Sequence, residues 1–344
     1  MSIERLGRTA AIFGCAGLSL TADERDFFRA TDPAGFILFK RNCDHPDQVR
    51  ALVAELRASV DRPTAPVLID QEGGRVQRLR PPHWRAAPPA RRFAELYRRD
   101  PAAGVRAAWL NARLIAAELH DLGIDVDCAP VLDNPVPGAH DVIGDRALGD
   151  DVATIATLGR AVMDGLLAGG VLPVIKHLPG HGRAEVDSHK HCPIVGASDA
   201  DLRAQDLPPF RALATAPFAM TAHVVYRAWD AAQVATWSPG IIARIIRGDI
   251  GFAGCLLSDD LSMQALDGSL GERARRALAA GCDLALHCNG DLVEMRDVAE
   301  AAGTISEGAA ARLAGALARR TIPQPIDQTA LLAELDGLLK DANP

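Results

Sequence analysis

The chain has 344 residues, 48% of them hydrophobic, and a formal net charge of −7. That is enough apolar material for a sizeable core and excludes a disordered chain, while the acidic balance argues against a nucleic-acid partner, which would call for a basic face. No apolar run reaches transmembrane length, no basic head leads into an apolar core after Met1, and the seven cysteines form no C-x-x-C pair.

Short apolar, β-leaning runs recur along the chain at residues 10–15, 35–39, 66–69, 124–131, 171–175, 218–222, 255–257 and 282–286. Continuous apolar runs of this length suit parallel strands covered on both faces. Helical patterns fill most of the gaps. In 100–123, Asp100 is an N-cap, Pro101 fits the first turn and Gly123 the C′ position. Residues 150–169 begin with acids and end in a Gly pair, and Ser238-Pro239 opens a helix through Ile241, Ile242, Ile245 and Ile246. Eight alternations predict an α/β fold, a single-domain (β/α)8 TIM barrel over 1–344, since no G-x-G-x-x-G follows the first strand. From about 307 onward a helix, a Pro-rich connection and a last amphipathic helix are expected on the barrel exterior. Cys15, Cys128, Cys255 and Cys282 fall in apolar runs and read as reduced, buried thiols of a cytoplasmic protein.

A barrel enzyme carries its chemistry at the C-terminal ends of its strands. The residues just after each run are therefore informative. Asp70 through Arg78 come after the third, Asp133 and then Gly144-Asp145-Arg146 after the fourth, and Lys176-His177 after the fifth. His223 comes after the sixth, Ser258-Asp259-Asp260 after the seventh, and His287-Cys288-Asn289 after the eighth. Each has a plainer role open to it. Asp70 and Asp133 suit turn caps, the arginines suit structural ion pairs, and His223 suits a supporting position behind the site.

The densest polar stretch is KHLPGHGRAEVDSH at 176–189. Two chemistries fit it. His177, His181, His189 and Asp187 are tolerable ligands for a metal-dependent hydrolase. Alternatively Asp187 orients His189, which shuttles a proton, while Asp259 across the barrel is a carboxylate nucleophile. Strand alternation sends neighbours to opposite faces, so only one of Asp259 and Asp260 is expected to point inward.

Several blocks resemble the bacterial β-N-acetylhexosaminidases of glycoside hydrolase family 3, in that family's order. They are ILFKRN (37–42), IDQEGGRVQRLR (69–80), APVLD (129–133), GDRALG (144–149), KHLPGHGRAEVDSHK (176–190), TAHVVY (221–226) and SDDLSM (258–263). The resemblance implies a TIM barrel in which Asp259 is the nucleophile, His189 the general acid/base and Asp187 its partner. It places Asp70, Arg78, Arg146, Lys176 and His177 at sugar-binding positions. The implied substrate is a non-reducing terminal β-linked N-acetylglucosamine, carried in cells by muropeptides of peptidoglycan recycling. No cofactor or metal is implied, nor a nucleic-acid or membrane partner, and a monomer is expected. The glycines on both sides of His181 suggest a loop that swings His189 into place when substrate binds.

Overall fold

A computed structural model describes residues 6–188 and 191–340. Eight strands close into a parallel barrel: β1 (Thr9–Phe13), β2 (Pro33–Leu38), β3 (Val67–Ile69), β4 (Val126–Asp127), β5 (Leu172–Leu178), β6 (Phe218–Thr221), β7 (Cys255–Asp260) and β8 (Leu284–His287). Each pairs with its neighbours in sequence, and β8 returns to β1 in the register Ala11 with Ala285. All eight predicted strands are present. Three run further than their apolar residues, because Lys176-His177, Ser258-Asp259-Asp260 and His287 continue the strand ladder instead of starting loops.

The strands read as unbroken apolar runs because both faces are covered. Ala10 and Ile12 of β1 point into the barrel, where they meet Ile37, Leu68, Val126, Val174, Met220 and Leu257. Ala11 and Phe13 point outward, into the layer shared with the helices. Helix Glu307–Leu317 sends Leu313, Ala316 and Leu317 into the same cluster as the barrel interior. The larger of these side chains contribute roughly 1.5–3 kcal/mol each when fully buried.

Helix starts follow local chemistry. Asp100 accepts from the Ala103 amide at 3.0 Å and caps helix Pro101–Asp121. Helix Val152–Ala168 is capped by Asp151, not Asp150, whose carboxylate pairs with Arg98 at 2.7 Å. The isoleucine-rich segment forms a π-helix, Ile241–Asp249, with its four isoleucines buried. The last helix, Gln328–Lys340, lies on helix Pro101–Asp121, with Leu335 buried and Glu334 gripping Arg106 at 2.7 and 2.8 Å. No described helix is long and apolar enough to cross a membrane.

Two small sheets decorate the C-terminal rim and have no counterpart among the predicted elements. One is a hairpin after β3, Gln71–Gly73 with Val76–Gln77. The other joins Ile194–Val195, Val225–Tyr226 and Asp230–Val234. The hairpin is fixed by Gln71, whose buried side-chain oxygen accepts from the amides of Arg78 and Leu79. That hairpin sets where Glu72 and Arg78 project.

Candidate active site

At the C-terminal mouth of the barrel lies a cavity of about 280 Å³, lined in part by the apolar side chains of Ile37, Phe39, Met220 and Leu286. Much of the remaining lining is ionic. Asp70, directly after β3, receives Lys176 Nζ at 2.8 Å and an Arg78 guanidinium nitrogen at 3.0 Å. Glu72 receives Lys176 at 2.7 Å and grips Arg146 through both oxygens at 2.8 Å. Two carboxylates thus bridge three cations. Phe39 packs under the Arg78 guanidinium, 4.7 Å from ring centre to carbon.

Burial alone would push both carboxyl groups up, but the cations overrule it. Lys176 and Arg78 hold Asp70 well below the usual carboxylate range, and Arg146 with Lys176 brings Glu72 down to about 2. Lys176 loses some proton affinity to burial and regains more from Asp70 and Glu72, so it stays charged. A fixed ammonium and two fixed guanidinium groups, interleaved with carboxylates, suit the vicinal hydroxyls of a sugar.

Asp259 lies near the end of β7 and lines the same cavity. Burial raises its carboxyl, yet the imidazoles of His177 and His223 and the Asp260 amide bring it below its ordinary value. It is therefore ionised at neutral pH. Its one hydrogen bond among the described residues comes from that amide, at 2.8 Å. Asp260 lines the cavity too, against the expectation that alternation would turn one of the pair away. The ladder between β7 and β8 shifts register between Leu257 and Asp260, which breaks the alternation. The two acids still differ: the Asp260 carboxylate is taken up by the Ser262 hydroxyl and amide and the Cys288 amide.

Six of the sequence-derived site residues therefore meet in one cavity: Asp70, Arg78, Arg146, Lys176, His177 and Asp259. Asp187 is half-buried on the following loop, next to Ser188, which does line the cavity. His189 lies outside the described residues. His223 takes the supporting place expected of it, with Nδ1 2.7 Å from Thr236 Oγ1 and Nε2 3.1 Å from the Asp260 carbonyl. His287 leaves the site altogether and stacks edge-on to Phe13.

Sequence reasoning missed the part that three residues play. Glu72 stood inside the quoted block, and its acid among basic neighbours was the available signal. Asp133 is no turn cap: it is fully buried and faces His177 Nδ1 at 2.6 Å. His181 is buried beside it, its ring 5.7 Å from that of His177. Burial lowers the His181 imidazole to about 4, so it is neutral at pH 7, while Asp133, despite burial, is brought to about 2 by His177 and His181. Among the described residues no group of three or more His, Cys, Asp or Glu is arranged to hold a metal ion.

A profile of the Glycosyl hydrolase family 3 N terminal domain matches residues 12–319. The chain belongs to glycosyl hydrolase family 3. It is 40% identical over 287 residues to the beta-hexosaminidase of Stenotrophomonas maltophilia (strain R551-3), covering 82% of this chain and 84% of that one. Among solved structures it resembles NagZ from Neisseria gonorrhoeae in complex with N-trifluoroacetyl-D-glucosamine, with a TM-score of 0.86, 31% identity, and 99% and 100% of the two chains covered. A second structure of that protein, in complex with zinc ion, matches with a TM-score of 0.85 and 32% identity over 98% of this chain and 100% of that one.

Proposed function

We propose that this glycoside hydrolase is a retaining β-N-acetylglucosaminidase that removes non-reducing terminal β-linked N-acetylglucosamine. Its cellular substrate is GlcNAc-1,6-anhydro-MurNAc muropeptide from peptidoglycan recycling, and it works as a single-domain monomer in the cytoplasm. The observation that carries the chemistry is Asp259: a half-buried, ionised carboxylate facing a sugar-sized cavity whose lining also carries the Asp70–Lys176–Glu72–Arg146 network.

Asp70, Arg78, Arg146, Lys176 and His177 hold the terminal sugar over Asp259. His177 is oriented for this by its Nδ1 contact to Asp133, which leaves its other ring nitrogen for the sugar. Asp259 attacks the anomeric carbon while His189, steadied by Asp187, protonates the departing glycosidic oxygen. His189 then takes a proton from the incoming water, whose oxygen displaces Asp259. Retaining glycosidases ordinarily use a second carboxyl group for proton transfer. An imidazole does that work near neutrality without the burial a carboxylic acid needs to raise its pKa.

A slow fluorinated N-acetylglucosamine donor tests this reading. It should label one peptide, the one carrying Asp259, and Asp259→Ala should lose both label and turnover while retaining measurable sugar binding. Label on another residue would overturn the assignment.

A further inference from the structure

Behind the cavity wall, one carboxylate ties the strand to the loop. Asp133 Oδ1 accepts from the main-chain amides of His177, at 3.2 Å, and His181, at 2.6 Å, while Oδ2 faces the His177 ring. His177 belongs to β5, whereas His181 starts the loop that carries Asp187. The His181 ring reaches seven residues along the chain, placing Nε2 3.0 Å from Ser188 Oγ. Both side chains are 3% exposed. Ser188 lies between Asp187 and His189, and its carbonyl accepts from the Ala265 amide, beyond β7, at 3.3 Å.

The first half of the loop is held by main-chain contacts and by Arg183, whose guanidinium donates to Asp206 and to Gln205, each at 2.7 Å. The Gly182 carbonyl accepts from Val136, and the Ala184 carbonyl from His140. At Gly182 the approach is so close that an added Cβ would lie 2.0 Å from the Asn134 carbonyl oxygen. Gly180, at φ 134°, makes the turn that lets His181 fold back toward Asp133. The second half, which carries the acid/base residues, is joined to the strand wall through the His181–Ser188 contact. In a buried, low-dielectric setting such a contact is directional and costly to break.

We propose that the Asp133–His181–Ser188 chain is a positioning device that presents Asp187 and His189 to the glycosidic oxygen of a sugar held at Lys176 and His177. It rests on the reading of Asp187 and His189 as the acid/base pair. None of the three residues exchanges a proton with substrate. His181 and Ser188 act through the residues on either side of the serine, and Asp133 joins the sugar-facing wall to that loop through one carboxylate. Sugar placement and acid placement are thereby referred to the same fixed point, Asp133 in the segment that follows β4.

The test uses the full chain and two substrates, 4-nitrophenyl and methyl β-N-acetylglucosaminides. The aryl leaving group needs little acid help and the methoxy group needs much. Ser188→Ala should lower kcat/KM for the methyl glycoside about 10-fold, the value of one buried hydrogen bond, and that for the aryl glycoside less than about 2-fold. KM for the aryl substrate should stay unchanged. His181→Leu should do the same, the double variant should be no worse than the worse single, and His181→Gln, whose amide nitrogen replaces Nε2, should restore most of the rate. Should the His181 variants fail to fold, Ser188→Ala, which only deletes an oxygen, carries the test. Hydrogen exchange of the loop amides, faster in Ser188→Ala, reports the tie separately from the chemistry. Equal losses on both substrates, additive single variants, or unchanged exchange would overturn the proposal. His189→Ala measured alongside separates the two readings: if it fails to discriminate between the leaving groups, the acid/base assignment falls, and the positioning role with it, whatever exchange shows about the tie.

Discussion

Replacing Glu72 by glutamine removes one of two negative charges that hold Lys176, Arg78 and Arg146 together. The shape is kept and the amide turns a donor toward cations that are donors themselves. In the folded protein Glu72 sits at about 2 against an ordinary 4.5. At roughly 1.4 kcal/mol for each pH unit, that difference corresponds to about 3 kcal/mol of stability. Breaking a buried ion pair from one side costs a similar amount, about 3–5 kcal/mol. A chain of this length has an unfolding entropy of roughly 0.7 kcal/mol/K, so Tm should fall by about 4 °C at pH 7. Because the folded-state value lies below the ordinary one, this contribution is complete above pH 4.5 and disappears as pH falls toward 2. The Tm gap between wild type and Glu72→Gln should therefore be constant from pH 6 to 7 and shrink to less than about half by pH 3. Calorimetry across that range decides it. A gap below about 1 °C at pH 7, or one that does not close on acidification, would refute the charge argument.

Two further outcomes are expected. His189→Ala should slow the methyl glycoside by roughly 100-fold or more while nearly sparing the 4-nitrophenyl glycoside, since general acid help is worth about 10²–10⁴-fold and only the poor leaving group needs it; leaving-group kinetics measure this, and equal losses would remove the proton-transfer role. Wild type dialysed against chelator should keep full activity on both substrates, with metal content followed by elemental analysis; loss of activity restored by zinc would instead favour a metal-dependent hydrolase built on the loop histidines.

Much of the architecture was legible because strand burial leaves a local mark. Residues covered on both faces must be apolar whatever their partners, so β1 to β8 each stood out as a short apolar run, and Asp100 announced its helix by capping it. The family blocks made Asp70, Arg78, Arg146, Lys176, His177 and Asp259 nameable in advance, and the fold gathers all six at one cavity. The features that stayed hidden depend on contacts between distant segments. Whether Glu72 is a surface acid or a buried counter-ion depends on Arg146, 74 residues away. Asp133 passed for a turn cap until β5 brought His177 against it, and only the resemblance told Asp259 from Asp260 until the Ser262 hydroxyl and the Cys288 amide claimed the second of them. Local patterning by itself determined which segments must be buried and which side chains sit at strand ends. Only the closed barrel decided which of those charges neutralise one another, because electrostatic partnership in a low-dielectric pocket is a matter of ångströms in space and leaves no period in the chain.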